Sequence, residues 1–223
     1  MLVRLANETD LAGFRREARA LLARGVPPAA VQWSAGAGGD LFALHGPEPA
    51  PQDLPAPTVH VPAAFMQLCE QVVLHREPQR FALLYRLLWR LAHEPTLRHD
   101  PLDADMLQAQ HMAHAVRRDI HKMKANLKLR VLKEDDGREL QVGCYEPAHH
   151  VIEAVGPWLA KRIPAARWAI FTPERSVRCV DGALLYGPGV PSAELPGPDG
   201  SDADWLACYA RVFAPHDRPA EHA

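Results

Sequence analysis

The sequence predicts an α+β protein, with a helical layer packed on a small, mainly antiparallel sheet. Three observations carry this. Apolar residues recur at helical spacing through most of the first 126 residues, they switch to strand-like alternation afterwards, and Asp-Gly turn signatures punctuate the second half. The resulting order is several helices followed by β-β-α-β-β. The chain has 223 residues, 48% hydrophobic and 23% charged, long enough to bury a core without disulfide or metal staples.

Taken in order, residues 11–24 read as a helix, with Leu11, Phe14, Ala18, Leu21 and Leu22 on one face and Asp10 placed as N-cap. Gly25 and Pro27-Pro28 end it. The Gly/Pro-rich stretch near 34–58 reads as a loop around a short apolar island, Leu41 to Leu44, a strand candidate. Pro62 opens a helix to about residue 76, and Glu77-Pro78 interrupts it. Residues 79–93 are apolar nearly all round, broken by Arg80, Arg86 and Arg90, which predicts a central buried helix. Residues 103–126 form the next helix. Residues 127–132 alternate apolar Leu127, Leu129 and Val131 with basic Lys128 and Arg130; the turn Asp135-Asp136-Gly137 then leads into 140–145, a β-hairpin. A helix over 148–162 directs Val151, Ile152, Val155, Trp158 and Leu159 inward. Residues 168–172 and 177–180 are strands, followed after Asp181-Gly182 by 184–186. Residues 1–190 are expected to form one α+β domain, and 191–223 an acidic, Pro/Gly-rich, solvated segment with a short helix near 203–213.

No apolar run approaches the roughly 20 residues that span a bilayer, and residues 1–10 carry Arg4, Glu8 and Asp10 where a signal peptide is apolar. A cytoplasmic protein with no membrane partner is expected. The cysteines Cys69, Cys144, Cys179 and Cys208 form no Cys-x-x-Cys and read as small buried apolar residues. Walker, Rossmann, Gly-x-Ser-x-Gly and His-Glu-x-x-His patterns do not occur, so no cofactor is expected.

The net charge of −2 hides an asymmetry: residues 114–133 contain seven Lys/Arg and one acid, Asp119. At 100° per residue Met112, Val116, Ile120 and Met123 fall on one side of the helix, and His114, Arg117, Arg118, His121 and Lys124 on the other. With Lys122, and with Lys128 and Arg130 on the hairpin, this stripe is the candidate nucleic-acid-binding surface. It is long enough to touch several phosphates, and such contacts give salt-dependent affinity without sequence choice. Asp119 either orients Arg118 or Lys122, binds a metal, or forms an internal ion pair. His111, His114 and His121 share a helix face, but no spacing supplies the fourth ligand of a structural zinc site, and no metal is expected. Glu146, His149 and Asp181 are the weak catalytic candidates: a carboxylate and an imidazole at a strand-to-helix junction, and an acid in a turn. Arg86 and Arg90 either reach the surface or point at an anion in a cleft.

Residues 81–91 (Phe-Ala-Leu-Leu-Tyr-Arg-Leu-Leu-Trp-Arg-Leu), Arg117-Arg118-Asp119-Ile120-His121-Lys122-Met123-Lys124, Tyr145-Glu146-Pro147-Ala148-His149-His150, and Thr172-Pro173 ahead of Asp181-Gly182 go further. They resemble a bacterial DNA-repair and DNA-metabolism family. Its members are encoded beside a radical-SAM protein similar to spore photoproduct lyase, or fused ahead of a uracil-DNA glycosylase domain. The resemblance covers about 14–213. Family members usually follow the basic helix with aromatics, where this chain has Asn126 and Leu129, and place Trp where it has Val180. What the resemblance implies is a DNA-binding accessory protein, with DNA and a uracil-DNA glycosylase or radical-SAM protein as partners. Two alternatives stand beside it: a nuclease or lyase using Glu146 and His149, and a protein-docking module with no DNA contact.

Overall fold

The computed structural model describes residues 1–36, 61–94, 96–97, 100, 102–134, 137–197 and 199–213. The island Leu41 to Leu44 and the turn residues Asp135 and Asp136 lie outside them. The architecture is α+β, in two compact units, Met1–Arg117 and Arg118–Ala223.

In the first unit, strand β1 (Leu2–Arg4) pairs in parallel with β2 (Gln32–Ser34). Helix α1 (Leu11–Ala23) connects them, capped by Asp10, whose carboxylate accepts the Gly13 N–H at 2.8 Å. Gly25, at φ +64°, ends its last turn in the left-handed conformation that favours glycine. The two strands are not foreseen in the sequence, because three residues are too few for an alternation to register. Helix α2 (Ala63–Val72) starts after Pro62 and stops four residues short of the expected end. Helix α3 (Arg80–His93) then supplies the centre of the core, burying Phe81, Leu83, Leu84, Tyr85, Leu87, Leu88 and Leu91 against Phe14, Leu21, Phe65 and Val72. The Tyr85 hydroxyl donates to the Val26 carbonyl at 2.6 Å, which satisfies its only polar atom inside the core. Helix α4 (Ala104–Asn126) opens on Asp103, whose carboxylate accepts the Met106 N–H at 2.9 Å; the boundary between the units falls within this helix.

The second unit is a five-stranded sheet in sequential order: β3 (Arg130–Lys133), β4 (Glu139–Cys144), β5 (Arg167–Phe171), β6 (Arg175–Val180) and β7 (Ala183–Pro188). All neighbouring pairs are antiparallel except β4 and β5, which are joined through helix α5 (Ile152–Arg162). The segment expected at 184–186 is thus a full strand, and the order is β-β-α-β-β-β. Asp181 and Gly182, both at positive φ, form the two-residue turn between β6 and β7 that matches strand twist.

Register puts Leu132, Leu140, Val142, Ala169 and Phe171 on one face, where Trp205, Cys208, Tyr209, Val212 and Phe213 of helix α6 (Asp202–Phe213) cover them. The stretch 202–213 is therefore not a solvated tail. Helix α5 packs against β6 and β7, and comes so close that a Cβ on Gly156 would sit 2.7 Å from the Tyr186 hydroxyl. Two more sequence expectations are corrected by the burial pattern. Val131 and Leu129 are exposed while Leu132 is buried, so the hairpin alternation is set one residue away from the expected phase. Cys144 is exposed, whereas Cys69, Cys179 and Cys208 are buried. Burial pushes the Cys69 thiol up to about 12, which keeps it protonated and inert.

Candidate nucleic-acid interface

The C-terminal part of α4 divides as its sequence dictates. Met123 is fully buried, and Asp119, at 6% exposure, lies on the same inward side, while Arg118, His121 and Lys122 are exposed and Lys124 is half-buried. Lys128, just past the helix, is exposed as well. Among the described residues no carboxylate pairs with Arg118, Lys122, Lys124 or Lys128. Among the described residues nothing neutralises their charge, which leaves it available to an external anion. His114 and Arg117 are exposed on the first-unit part of the same helix.

Asp119 does not orient the neighbouring arginine. Its Oδ2 accepts the backbone N–H of His149 at 2.9 Å, so the one acid of the basic stretch ties the loop before α5 to α4. A carboxylate turned inward leaves the outward arc purely basic. Burial, and then the Asp119 charge, raise the Tyr145 phenol above its ordinary value, so Tyr145 stays a neutral hydroxyl there.

Arg130 stands apart from the stripe. Its guanidinium donates to the Gly200 carbonyl and to Asp202 Oδ1, both at 2.7 Å, and fastens β3 to the start of α6. Trp158, expected to point inward, is 37% exposed, with the Lys124 ammonium 4.9 Å from its ring centroid. Lys161 and Arg162, within one turn of it on α5, are also exposed. Apolar periodicity misses this aromatic: Ile152, Val155, Gly156 and Leu159 take the buried side of α5, and Trp158 lies outside it.

The weak catalytic candidates do not converge. Glu146 is exposed at the C-terminal end of β4, accepting the Ser192 hydroxyl at 2.9 Å, and His149 is held by its backbone at that same end. Asp181 N–H bonds to Ala166 O, beyond the opposite end of β5. Five strand residues, about 16 Å, separate the two ends. His150 pairs with Glu174. Among the described residues, no three His, Cys, Asp or Glu side chains are grouped as a metal site.

Arg86 and Arg90 point at carboxylates of their own unit. Arg86 makes a bidentate pair with Asp105 at 2.9 and 2.6 Å, and Arg90 reaches Asp103 at 2.8 Å, Asp105 at 3.2 Å and Glu94 at 3.2 Å. Hydrogen bonds from Arg90 hold the Asp103 carboxyl below its ordinary 3.8, and those from Arg86 do the same for Asp105. A depressed carboxylate contributes stability above its unfolded pKa and loses it as pH falls through the folded value. Asp103→Asn keeps the cap on α4 and removes the charge, so it is expected to cost about 1–2 kcal/mol at pH 7, partly screened by solvent, and less near pH 2. Urea unfolding of the variant and the parent at both pH values checks this; an equal difference at both would assign the cost to something other than charge.

A mixed sheet covered by helices defines the class: an α+β protein. The chain belongs to the family of a domain of unknown function, DUF4130, whose model matches residues 78–218, more than half of the chain, from the start of α3 past the end of α6. No curated protein and no solved structure matches it. Among the described residues no helix is long and apolar enough to cross a membrane.

Proposed function

We propose that the chain is a DNA-binding accessory protein of DNA repair or DNA metabolism, contacting phosphates through Arg118, His121, Lys122, Lys124 and Lys128. The observation that carries this reading is the unpaired, outward basic arc at the end of α4, produced by turning Asp119 inward. Lysines and arginines that lack an internal counter-charge release counterions from a nucleic acid on binding, the main source of sequence-independent affinity. His114 and Arg117 are further basic candidates, on the first-unit part of α4. The sequence resemblance supports placing this activity in repair, beside a uracil-DNA glycosylase or a radical-SAM partner. Arg130 contributes little to it, since its guanidinium is already committed to Gly200 and Asp202.

Fluorescence anisotropy with labelled single- and double-stranded DNA across a salt series tests the proposal. Arg118→Ala/Lys122→Ala/Lys128→Ala removes three exposed cations and no described ion pair. It is expected to lower affinity at least tenfold at low salt. The slope of log K against log salt should flatten by about 2 on single strands and somewhat more on duplex, roughly 0.7 to 0.9 for each phosphate no longer neutralised. Parent protein that fails to bind DNA at low salt, or a triple variant with an unchanged slope, overturns the assignment.

A further inference from the structure

We infer that Trp158 is a base-stacking platform, and that the DNA bound beside it is single-stranded or locally unpaired. The inference rests on the DNA-contact reading above and adds what that surface selects. Five tryptophans occur in the chain. Trp168 and Trp205 are buried, Trp33 and Trp89 are partly buried, and Trp158 alone is exposed, at 37%. Part of its indole surface is therefore open to a planar partner.

The surroundings of the ring identify that partner. Lys124 of the basic arc lies over the indole, 4.9 Å from its centroid, so the aromatic is continuous with the cationic surface rather than part of an apolar patch. Lys161 and Arg162 follow one helical turn, about 5.4 Å, further along α5, both exposed and without a carboxylate partner among the described residues. A planar π-face flanked on two helices by cations matches the alternation of base and phosphate along a single strand. Duplex DNA offers the same phosphates but keeps its base faces stacked on one another, so the indole gains nothing from it. Stacking tolerates any base, so the preference expected of this site is for a base over none and not for one base over another.

The test uses the full chain with three probes of equal length: oligo-dT, a backbone oligomer of the same charge built from abasic units, and polyglutamate. Parent protein is expected to bind oligo-dT about tenfold or more tighter than the abasic oligomer, with quenching of tryptophan fluorescence by oligo-dT alone. Trp158→Ala should abolish that preference while leaving the salt slope unchanged, and Trp158→Phe should retain most of it. A parent that binds both oligomers equally, or a folded Trp158→Ala variant that keeps the preference, overturns the stacking role and leaves the phosphate reading intact. Equally tight binding of polyglutamate, dependent on Trp158, would reassign the surface to an acidic protein partner. Failure of every DNA probe to bind overturns both readings.

Discussion

Arg80→Met is expected to destabilise the first unit by about 3–5 kcal/mol, the range for removing one member of a buried, hydrogen-bonded charge arrangement. The side chain is 1% exposed, and its guanidinium serves four acceptors: the carbonyls of Val73 at 2.9 Å, Glu77 at 3.0 Å and Glu8 at 2.6 Å, and the Glu8 carboxylate at 2.6 Å. The Val73 carbonyl follows α2, and the Glu77 carbonyl lies in the turn into α3. Methionine keeps the apolar stem but has no donor, so the buried Val73 carbonyl and the part-buried carbonyls of Glu77 and Glu8 lose their guanidinium donors. The Glu8 carboxylate is in a different position, because its side chain is 43% exposed and rehydrates when unpaired. Glu8→Gln should therefore cost about 1 kcal/mol or less. Urea unfolding of both variants distinguishes the two contributions; equal losses would mean that the ion pair, not carbonyl satisfaction, dominates. The same contacts have a consequence for the family boundary. The DUF4130 match begins at residue 78, yet Arg80 and the apolar face of α3 are completed by residues that precede it, including Glu8, Phe14 and Phe65. A chain cut back to residue 78 should lose cooperative folding of this unit.

Arg80 also marks where sequence reasoning stops. A cation in an apolar run reads as a break in the buried face, because burial of an arginine is set by which carbonyls surround it, and those come from residues 8, 73 and 77. The helices themselves were legible. Asp10 announces its cap, the apolar spacing of α3 its burial, and the 100° projection the outward arc of α4, all of which depend on residues within a few turns. What failed depended on distant packing. The phase of β3 looked equally good one residue away, and only the pairing of Leu132 with Leu140 selects it. Apolar spacing alone turns Trp158 inward, whereas in the fold Val155, Gly156 and Leu159 are buried and Gly156 lies against Tyr186. Asp119 was read by its neighbours in sequence, and its partner lies thirty residues on.

Loss of α6 is expected to have the largest effect of all: a chain truncated after Gly200 should not form the second unit's sheet. Truncation strips Trp205, Cys208, Tyr209, Val212 and Phe213 from the face of Leu132, Leu140, Val142, Ala169 and Phe171. At about 1.5–3 kcal/mol per large apolar side chain, the loss is on the order of 10 kcal/mol, as much as a whole domain usually has. The acids that make this segment look like a solvated tail are the signals that start its helix. Ser201 and Asp204 exchange hydrogen bonds in a capping box, the Asp204 N–H to Ser201 Oγ at 3.2 Å and the Ser201 N–H to Asp204 Oδ2 at 3.0 Å. Asp202 adds negative charge to the first turn, where the helix dipole favours it, and receives Arg130 from β3. A milder probe is Phe213→Ala, expected to cost about 3–5 kcal/mol because the ring is fully buried beside Phe171 and Tyr209 and under the Arg178 guanidinium. Far-UV circular dichroism and limited proteolysis read both changes. A truncated chain that keeps a protease-resistant sheet would show the five strands to be stable with one face bare, which an apolar face of this size does not permit in water.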